Sequence, residues 1–288
     1  MFVMSVDEMI RELWKITNAG AKQRYTVKQR AKNYEQPVDG FLPINEMQRQ
    51  KLNPSKIYVR YDLRNGIAQY VGMTVDYLTR FLITGDIKKA FEISFKGAYN
   101  AGKKLEAEEL FSRINTRMDD DSIINALKLT TFDSYYRTGK VEEYNTETIA
   151  DIITPLEIDA VREMVVDTVS YLRKHENIMC GVEFPGAFTE TVGRGDADFV
   201  ASNILFDLKC IKGYPNKIDT LQLLIYYFLA KHSTNTLLNC IDQIGIINPR
   251  RNEVYLQQIS KLNPTMLCTI EKDVVGYKQD TDPHRLGQ

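Results

Sequence analysis

The sequence predicts a mixed α/β protein in two parts: a mostly helical N-terminal region, residues 1–150, and an α/β core, residues 151–280. Apolar residues recur at helical spacing through much of the first part. From Leu156 onward the pattern changes to a helix, three strand-like segments, a second helix and a further strand. Strands that alternate with helices in this way favour a mixed central sheet flanked by helices.

The N-terminal region is predicted to begin with a helix over residues 6–36, because Met9, Leu13 and Trp14 belong to an apolar stripe at helical spacing. Residues 37–56 contain three prolines and are predicted to form an irregular connection. A short strand or turn over residues 57–61 follows, and then helices over residues 66–84, 86–101, 105–116 and 119–136. The acids at 119–121 favour a helix start, where the backbone dipole is positive. Residues 137–155 are predicted to be the boundary between the two parts.

The α/β core is predicted to contain an amphipathic helix over residues 156–174, followed by strands over residues 179–188, 196–201 and 204–211. Ser202 and Asn203 form the tight turn between the second and third of these strands. A second helix is predicted over residues 218–232, and strands over residues 243–248 and 253–257 pair as a hairpin. Residues 281–288 are predicted to be a flexible tail.

The bulk composition excludes several classes of protein. The 37 Lys and Arg are balanced by 38 Asp and Glu, so net charge does not point to a nucleic-acid partner. No apolar run approaches the roughly 20 residues that cross a bilayer, and the acidic N-terminus does not resemble a signal peptide. A cytoplasmic protein without a membrane partner is therefore expected. The four cysteines are about thirty residues apart and form no C-x-x-C pair, which favours reduced thiols over a zinc site.

The residues with the clearest chemical implication lie on the second and third strands of the core. Because side chains alternate faces along a strand, Asp196 and Asp198 share one face, and Asp207 and Lys209 share one face of the next strand. The tight turn makes these strands antiparallel neighbours, so the acids can meet. Carboxylates held together repel each other, and a divalent cation such as Mg²⁺ or Mn²⁺ relieves this repulsion. Lys209 would then orient or deprotonate an attacking water, or stabilise charge that develops on a phosphate.

The following helix adds a second pair of polar residues. Gln222 and Tyr226 are four residues apart, so they lie on one face of that helix. Their amide and phenol groups could hold Lys209, the water or a substrate phosphate. Taken alone, the pair would be a half-buried helix face, and the acids and Lys209 would be a cross-strand salt bridge on a polar hairpin.

The order of these motifs resembles the PD-(D/E)xK nuclease superfamily. Gly195-x-x-Asp198 is followed nine residues later by Asp207-x-Lys209, and then by Gln222-x-x-x-Tyr226 on the next helix. The resemblance covers roughly residues 156–260. It is greatest to the branch that contains the RecB nuclease domain, lambda-type exonucleases and CRISPR adaptation nucleases. It implies a restriction-endonuclease-like core and metal-dependent hydrolysis of phosphodiester bonds.

The resemblance also implies roles for individual residues. The metal ligands would be Asp198, Asp207 and the backbone carbonyl of Leu208. Lys209 would be the catalytic lysine, with Gln222 and Tyr226 as its auxiliary motif. A further acidic ligand is often present in the family, and both Glu183 and Glu157 are candidates for it here. Asp196 is expected to be exposed or outside the immediate ligand set. The cysteine spacing gives no support for the iron–sulfur cluster that some members carry.

The expected partner is nucleic acid, with DNA favoured over RNA. A basic stretch near the N-terminus, interrupted by Tyr25 but by no acid, could contact it: Lys22, Arg24, Lys28, Arg30 and Lys32. A solvated helix face is the alternative for this stretch. The alternative for the whole chain is an inactive member of the fold that binds nucleic acid or protein. Exonuclease or endonuclease action, assembly as a homo-oligomer or in a larger complex, and a setting such as a phage or mobile element all remain open.

Overall fold

A computed structural model describes residues 24–56, 61, 63–64, 66–139 and 146–277. The predictions for Lys22, for most of the first helix, for the strand over residues 57–60 and for the tail over residues 281–288 lie outside these ranges. Within them, no helix combines the length and the apolar character needed to cross a membrane.

The N-terminal part of the described chain is mostly helical. It begins with a short strand β1 (Tyr25–Thr26), helix α1 (Val27–Asn33) and strand β2 (Gln48–Lys51). Seven helices follow: α2 (Ala68–Thr84), α3 (Ile87–Ala90), α4 (Glu92–Asn100), α5 (Lys104–Ser112), α6 (Asp120–Thr130), α7 (Asp133–Thr138) and α8 (Thr146–Ile152).

Several helix boundaries follow from local chemistry. Helix α2 ends at Gly85, whose φ of 71° is in the left-handed region that glycine adopts at low cost. Helix α6 starts after Asp119, whose side chain accepts a hydrogen bond from the backbone N–H of Ser122. The predicted helices over residues 86–101 and 119–136 are each divided in two, at Phe91 and at Thr131–Phe132. Phe91, at the first break, is fully buried, and helical spacing alone does not reveal the break.

The C-terminal part contains the remaining elements. They are helix α9 (Pro155–Leu172), strands β3 (Met179–Val182), β4 (Val192–Arg194), β5 (Ala197–Ala201) and β6 (Ile204–Leu208), helix α10 (Lys217–Lys231), strands β7 (Gln243–Asn248) and β8 (Glu253–Gln258), and helix α11 (Pro264–Thr269) with a π-helical turn over Ile270–Val275. Thr154 and Glu157 form a capping box at the start of α9. The predicted order of helix, three strands, helix and strand is confirmed, with β4 as an addition between the first two strands.

The main sheet has six strands in the order β2-β8-β7-β6-β5-β3. Strands β6 and β7 are parallel, and the other neighbouring pairs are antiparallel. The predicted mixed sheet is therefore confirmed. Strand β2, which lies at one edge, was predicted to be part of an irregular connection. Its sequence, QRQK, is polar and has no apolar alternation, so only its pairing with β8 makes it a strand.

Helices cover both faces of this sheet. On one face, α10 packs on apolar side chains such as Val200, Leu205 and Ile244. On the other face, the end of α9 contributes Tyr171 and Leu172, which pack with Phe206. The rest of α9 belongs to a separate apolar core shared with α2 and α6. Helix α9 thus joins the helical region to the sheet, and the division at residue 150 remains a prediction.

The first described residues also belong to the sheet region. Tyr25 and Thr26 pair in parallel with β4, and α1 packs on α10. The predicted helix over residues 6–36 is therefore wrong for part of its described length: residues 25–26 are extended, and helix α1 ends at Asn33. Thr26 ends the strand and caps the helix, since its hydroxyl accepts a hydrogen bond from Gln29.

Candidate active site

The two acids singled out by the sequence meet at one end of strands β5 and β6. These strands pair Val200 with Leu205 and Phe199 with Phe206. The same register, continued by one residue, places Asp198 opposite Asp207. Both are on the face of the sheet that α10 covers, because Val200 and Leu205 pack there. The alternation of side chains along two short strands therefore brings the carboxylates together.

Both oxygens of Asp198 accept hydrogen bonds. The backbone N–H of Leu208 donates to Oδ2 at 2.6 Å, and Nη2 of Arg80 donates to Oδ1 at 2.9 Å. About a fifth of the side chain is exposed. The carboxylate is thus held in a defined orientation between strand β6 and helix α2.

Asp207 is the most buried residue of the site, with 3% of its surface exposed. Its Oδ1 accepts a hydrogen bond of 3.3 Å from Nε2 of Gln222. Its Oδ2 is 2.9 Å from Nζ of Lys209, but this buried oxygen accepts no hydrogen bond of normal geometry. Burial raises the pKa of Asp207 to about 7, and the neighbouring Asp198 adds to this effect while Lys209 opposes it.

Lys209 is enclosed by the same group of side chains. Its Nζ donates to Oε1 of Gln222 at 3.0 Å and lies 3.7 Å from Oδ1 of Asp219. Burial lowers the pKa of Lys209, but Asp207 and Asp219 outweigh burial, so the net pKa is raised. Two carboxylates therefore keep the amine in its ammonium form.

Gln222 connects the lysine, the acid and the phenol. Its amide accepts from Lys209 and donates both to Asp207 and, at 3.1 Å, to the hydroxyl of Tyr226. Tyr226 is 6% exposed and stacks on Phe184 at a centroid distance of 5.8 Å. Burial raises the pKa of Tyr226 well above its ordinary value. The structure thus brings all five predicted site residues together.

Sequence reasoning did not identify Asp76 and Arg80 on helix α2 as parts of this site. Arg80 donates from Nε and Nη2 to the two oxygens of Asp76, at 2.7 and 2.8 Å, and also to Asp198. Burial raises the pKa of Asp76 to about 7, against the opposing effect of Arg80. The available signal was a pair of opposite charges four residues apart, next to the buried Tyr77 and Phe81. That signal indicates a buried pair but does not show what it faces.

The two candidates for a further acidic ligand are in different surroundings. Both oxygens of Glu157 accept hydrogen bonds from Arg64 or Thr154, and this lowers its pKa to about 2 against the opposing effect of burial. Glu183 follows strand β3 and is exposed. Partial desolvation and Asp198 raise the pKa of Asp196 against the opposing effect of Arg80, and Glu183 adds a smaller contribution. Asp196 has 59% of its side chain exposed, with Oδ2 4.0 Å from Arg80. Glu183 is therefore the candidate at the rim of the acidic cluster.

The described residues of the basic stretch differ in accessibility. Lys28 and Lys32 are exposed on α1. Arg30 instead donates to the backbone carbonyls of Val274 and Asp273, at 2.7 and 2.6 Å, and so anchors the C-terminal helical segment. Arg24 packs over Gly193, where a β-carbon would lie 2.6 Å from the arginine side chain.

Helix α1 lies directly beside the acidic cluster. A β-carbon on Gly195 would lie 2.5 Å from Val27 of α1 and 3.3 Å from the ring of Tyr226. Glycine at position 195 therefore permits close packing of the helix, the strand and the aromatic ring. As a result, the exposed lysines of α1 are on an element that adjoins the site.

The donor set partly fits a divalent metal ion. Asp198 and Asp207 supply hard oxygen ligands, and Oδ2 of Asp207 is buried without an aligned donor. In the described ranges, no group of three or more His, Cys, Asp or Glu side chains is arranged to hold a metal. Mg²⁺ fits such a set because it binds through one or two carboxylates and completes its octahedron with water or phosphate oxygens. The four cysteines are free thiols.

Comparisons of the chain with protein-family models, with curated proteins and with solved structures give no match.

Proposed function

We propose that the protein is a divalent-metal-dependent nuclease that hydrolyses phosphodiester bonds, with DNA as the favoured substrate. The observation that carries this proposal is one connected polar cluster at the end of two adjacent strands. In it, Asp198 lies opposite Asp207, and Lys209, Gln222 and Tyr226 are linked to Asp207 through hydrogen bonds or an ion pair. A salt bridge on a polar hairpin would not require the amide and phenol of α10 as well.

Asp198, Asp207 and the backbone carbonyl of Leu208 would hold Mg²⁺ or Mn²⁺. Such an ion supplies a Lewis acid and lowers the pKa of a bound water. The chain itself supplies a fixed ammonium group at Lys209, since Asp207, Asp219 and Gln222 surround its Nζ atom. This group would stabilise negative charge on a phosphate oxygen. Tyr226 acts through Gln222, whose amide orientation it helps to set.

The arrangement of elements supports a restriction-endonuclease-like core. Helix α9, strands β3, β5 and β6, helix α10 and strand β7 follow in the order that the sequence pattern predicts. The corresponding strands are adjacent in the sheet as β7-β6-β5-β3. One fold can serve several activities, so the side chains of the site, and not this arrangement, support the nuclease function.

The exposed lysines of α1 support nucleic acid as the partner. Lys28 and Lys32 lie on the helix that packs beside Gly195 and Tyr226, and Arg194 on the adjoining strand β4 is also exposed. Positive side chains next to an acidic metal site would hold the phosphate backbone while one phosphate reaches the metal. Arg30 is not expected to take part, since it binds backbone carbonyls.

Cleavage assays test the proposal directly. Labelled linear, circular and single-stranded DNA and RNA would be incubated with Mg²⁺, Mn²⁺ or EDTA. We expect metal-dependent cleavage by the wild type and a loss of about a thousandfold or more in Lys209→Ala and Asp207→Asn. The matched control is Lys231→Ala, at the exposed end of α10, which should cleave normally. Full cleavage by Lys209→Ala would overturn the assignment.

A second candidate function is a binding module of the same fold without cleavage. The observation that favours it is the engagement of Oδ1 of Asp198 by Arg80, which provides a protein cation where a metal would bind. Thermal unfolding with and without Mn²⁺ separates the two functions. A nuclease site should be stabilised by about 2 kcal/mol at saturating Mn²⁺, and Asp198→Ala should abolish the effect. A binding module should show no stabilisation in either protein.

A further inference from the structure

Arg80 is held in place by side chains of helix α2 and strand β5. Asp76, one turn earlier on α2, binds Nε and Nη2, and Asp198 on β5 binds Nη2. The guanidinium carbon lies 5.8 Å from the ring centre of Tyr77 and 6.0 Å from that of Phe199. Only 14% of the side chain is exposed. Such a group is not a surface arginine that happens to lie near an acid.

The backbone of strand β3 leaves room for this arginine. Gly181 has a φ of +58°, and a β-carbon there would lie 2.9 Å from Nη1 of Arg80. Any other residue would need both a strained backbone and a displaced guanidinium. Asp76 therefore binds the guanidinium of Arg80 beside Asp198, and Gly181 leaves the space that the guanidinium occupies.

We propose that Arg80 is a positioning residue that competes with the divalent cation for Asp198 and so sets the metal affinity of the site. This inference rests on the proposed function. In the metal-free protein, Arg80 neutralises Asp198 as Lys209 neutralises Asp207. A metal ion that approaches Asp198 must share Oδ1 with a buried guanidinium or displace it. The helical N-terminal region thereby acts on the metal site through one side chain.

The charges around the site set the direction of this effect. The carboxylates of Asp76, Asp196 and Asp198 lie within 4.0 Å of Arg80, and those of Asp207 and Asp219 lie within 4.0 Å of Lys209. Asp76 also binds the guanidinium of Arg80, and this weakens the interaction between Arg80 and Asp198. Removal of Arg80 leaves a stronger negative field for the cation, and removal of the Asp76 charge leaves Arg80 bound to Asp198 alone. Removal of Arg80 separates this role from a purely structural one, because a structural role would loosen Asp198 and weaken metal binding when Arg80 is replaced.

The test is calorimetric titration of Mn²⁺ into the full chain without substrate. We expect Arg80→Met to bind Mn²⁺ about tenfold more tightly than the wild type, and Asp76→Asn to bind it more weakly. Arg80→Lys keeps the charge but cannot bridge both acids, so its affinity should lie between those of wild type and Arg80→Met. The matched control is Arg113→Met, which removes an arginine paired with an acid four residues earlier, Glu109, on helix α5. Its affinity should be unchanged.

Unchanged or weaker binding by Arg80→Met, with measurable binding by the wild type, overturns the competition while leaving the nuclease proposal intact. If neither the wild type nor any variant binds Mn²⁺, the metal site itself is refuted, and the inference with it. If Arg80→Met does not fold, as judged by circular dichroism, Arg80→Lys and Asp76→Asn decide. Tighter binding by the first and weaker binding by the second support the inference, and any other pair of results overturns it.

Discussion

Two buried aspartates, one in the helical region and one in the sheet, differ in the groups that surround their carboxylates. Asp133, at the start of α7, is 1% exposed and accepts hydrogen bonds from the hydroxyls of Tyr77 and Ser94, on α2 and α4. Asp207 is 3% exposed, yet one of its oxygens has no aligned donor and it faces a second carboxylate. Burial raises the pKa of both.

This difference indicates that Asp133 has a structural role and that Asp207 is suited to a chemical one. Asp133 links three helices, and its polar partners offset the cost of burial. One oxygen of Asp207 contacts the Lys209 ammonium without an aligned hydrogen bond, and its carboxylate is repelled by Asp198. Such a combination of burial and nearby charges is typical of functional sites. The two acids should therefore respond differently to the same substitution, to pH and to metal.

The largest effect is expected from substitution of each aspartate by asparagine. Asp133→Asn should lower the free energy of unfolding by about 1–3 kcal/mol, because a buried acceptor is replaced by a donor that faces the hydroxyls of Tyr77 and Ser94. Asp207→Asn should lower the stability of the metal-free protein less than this at pH 8. It removes a charge that burial and Asp198 disfavour, and this gain offsets part of the loss of the ion pair with Lys209. Urea denaturation in EDTA measures both. Equal destabilisation by the two substitutions would remove the distinction.

A smaller effect is expected from pH. The pKa of Asp207 and that of Asp76 are each raised to about 7 from an ordinary value of 3.8. The native state therefore binds more protons than the unfolded chain between these values, so the stability of the metal-free protein should fall as pH rises from 5 through 7. Asp207→Asn should reduce this slope. Denaturation midpoints between pH 5 and 8 measure it, and a slope that is the same in both proteins would count against the raised pKa of Asp207.

The smallest effect is expected at Tyr226. Its hydroxyl accepts a hydrogen bond from Gln222 and does not contact the carboxylates directly. Tyr226→Phe should reduce the rate of cleavage by about tenfold and change the stability by less than about 1.5 kcal/mol, because one buried hydrogen bond is lost. Single-turnover cleavage at saturating Mn²⁺ measures the rate. A loss as large as that of Lys209→Ala would assign Tyr226 a role beyond the support of Gln222.

The sequence alone was sufficient to predict features that depend on a local pattern of residues. Alternation along β5 and β6 predicted that Asp198, Asp207 and Lys209 share a face, and the two-residue turn at Ser202 predicted that the strands pair. The spacing of Gln222 and Tyr226 predicted a shared helix face. The sequence did not predict the break at Phe91 between α3 and α4, because the apolar spacing continues across it. It also did not predict strand β2, which is defined by its pairing with β8.

By itself, then, the sequence determined which side chains lie on the same face of a strand or helix, because that depends on the backbone repeat of each element. Only the tertiary structure decided which distant element meets that face. Arg80 contacts Asp198, which is 118 residues away in the sequence. Asp76 also lies near the site because it is paired with Arg80 on the same helix. The side-chain pattern of α2 shows that a charged pair is present. Its partner depends on how α2 packs against strand β3 and helix α9, which is a property of the whole fold.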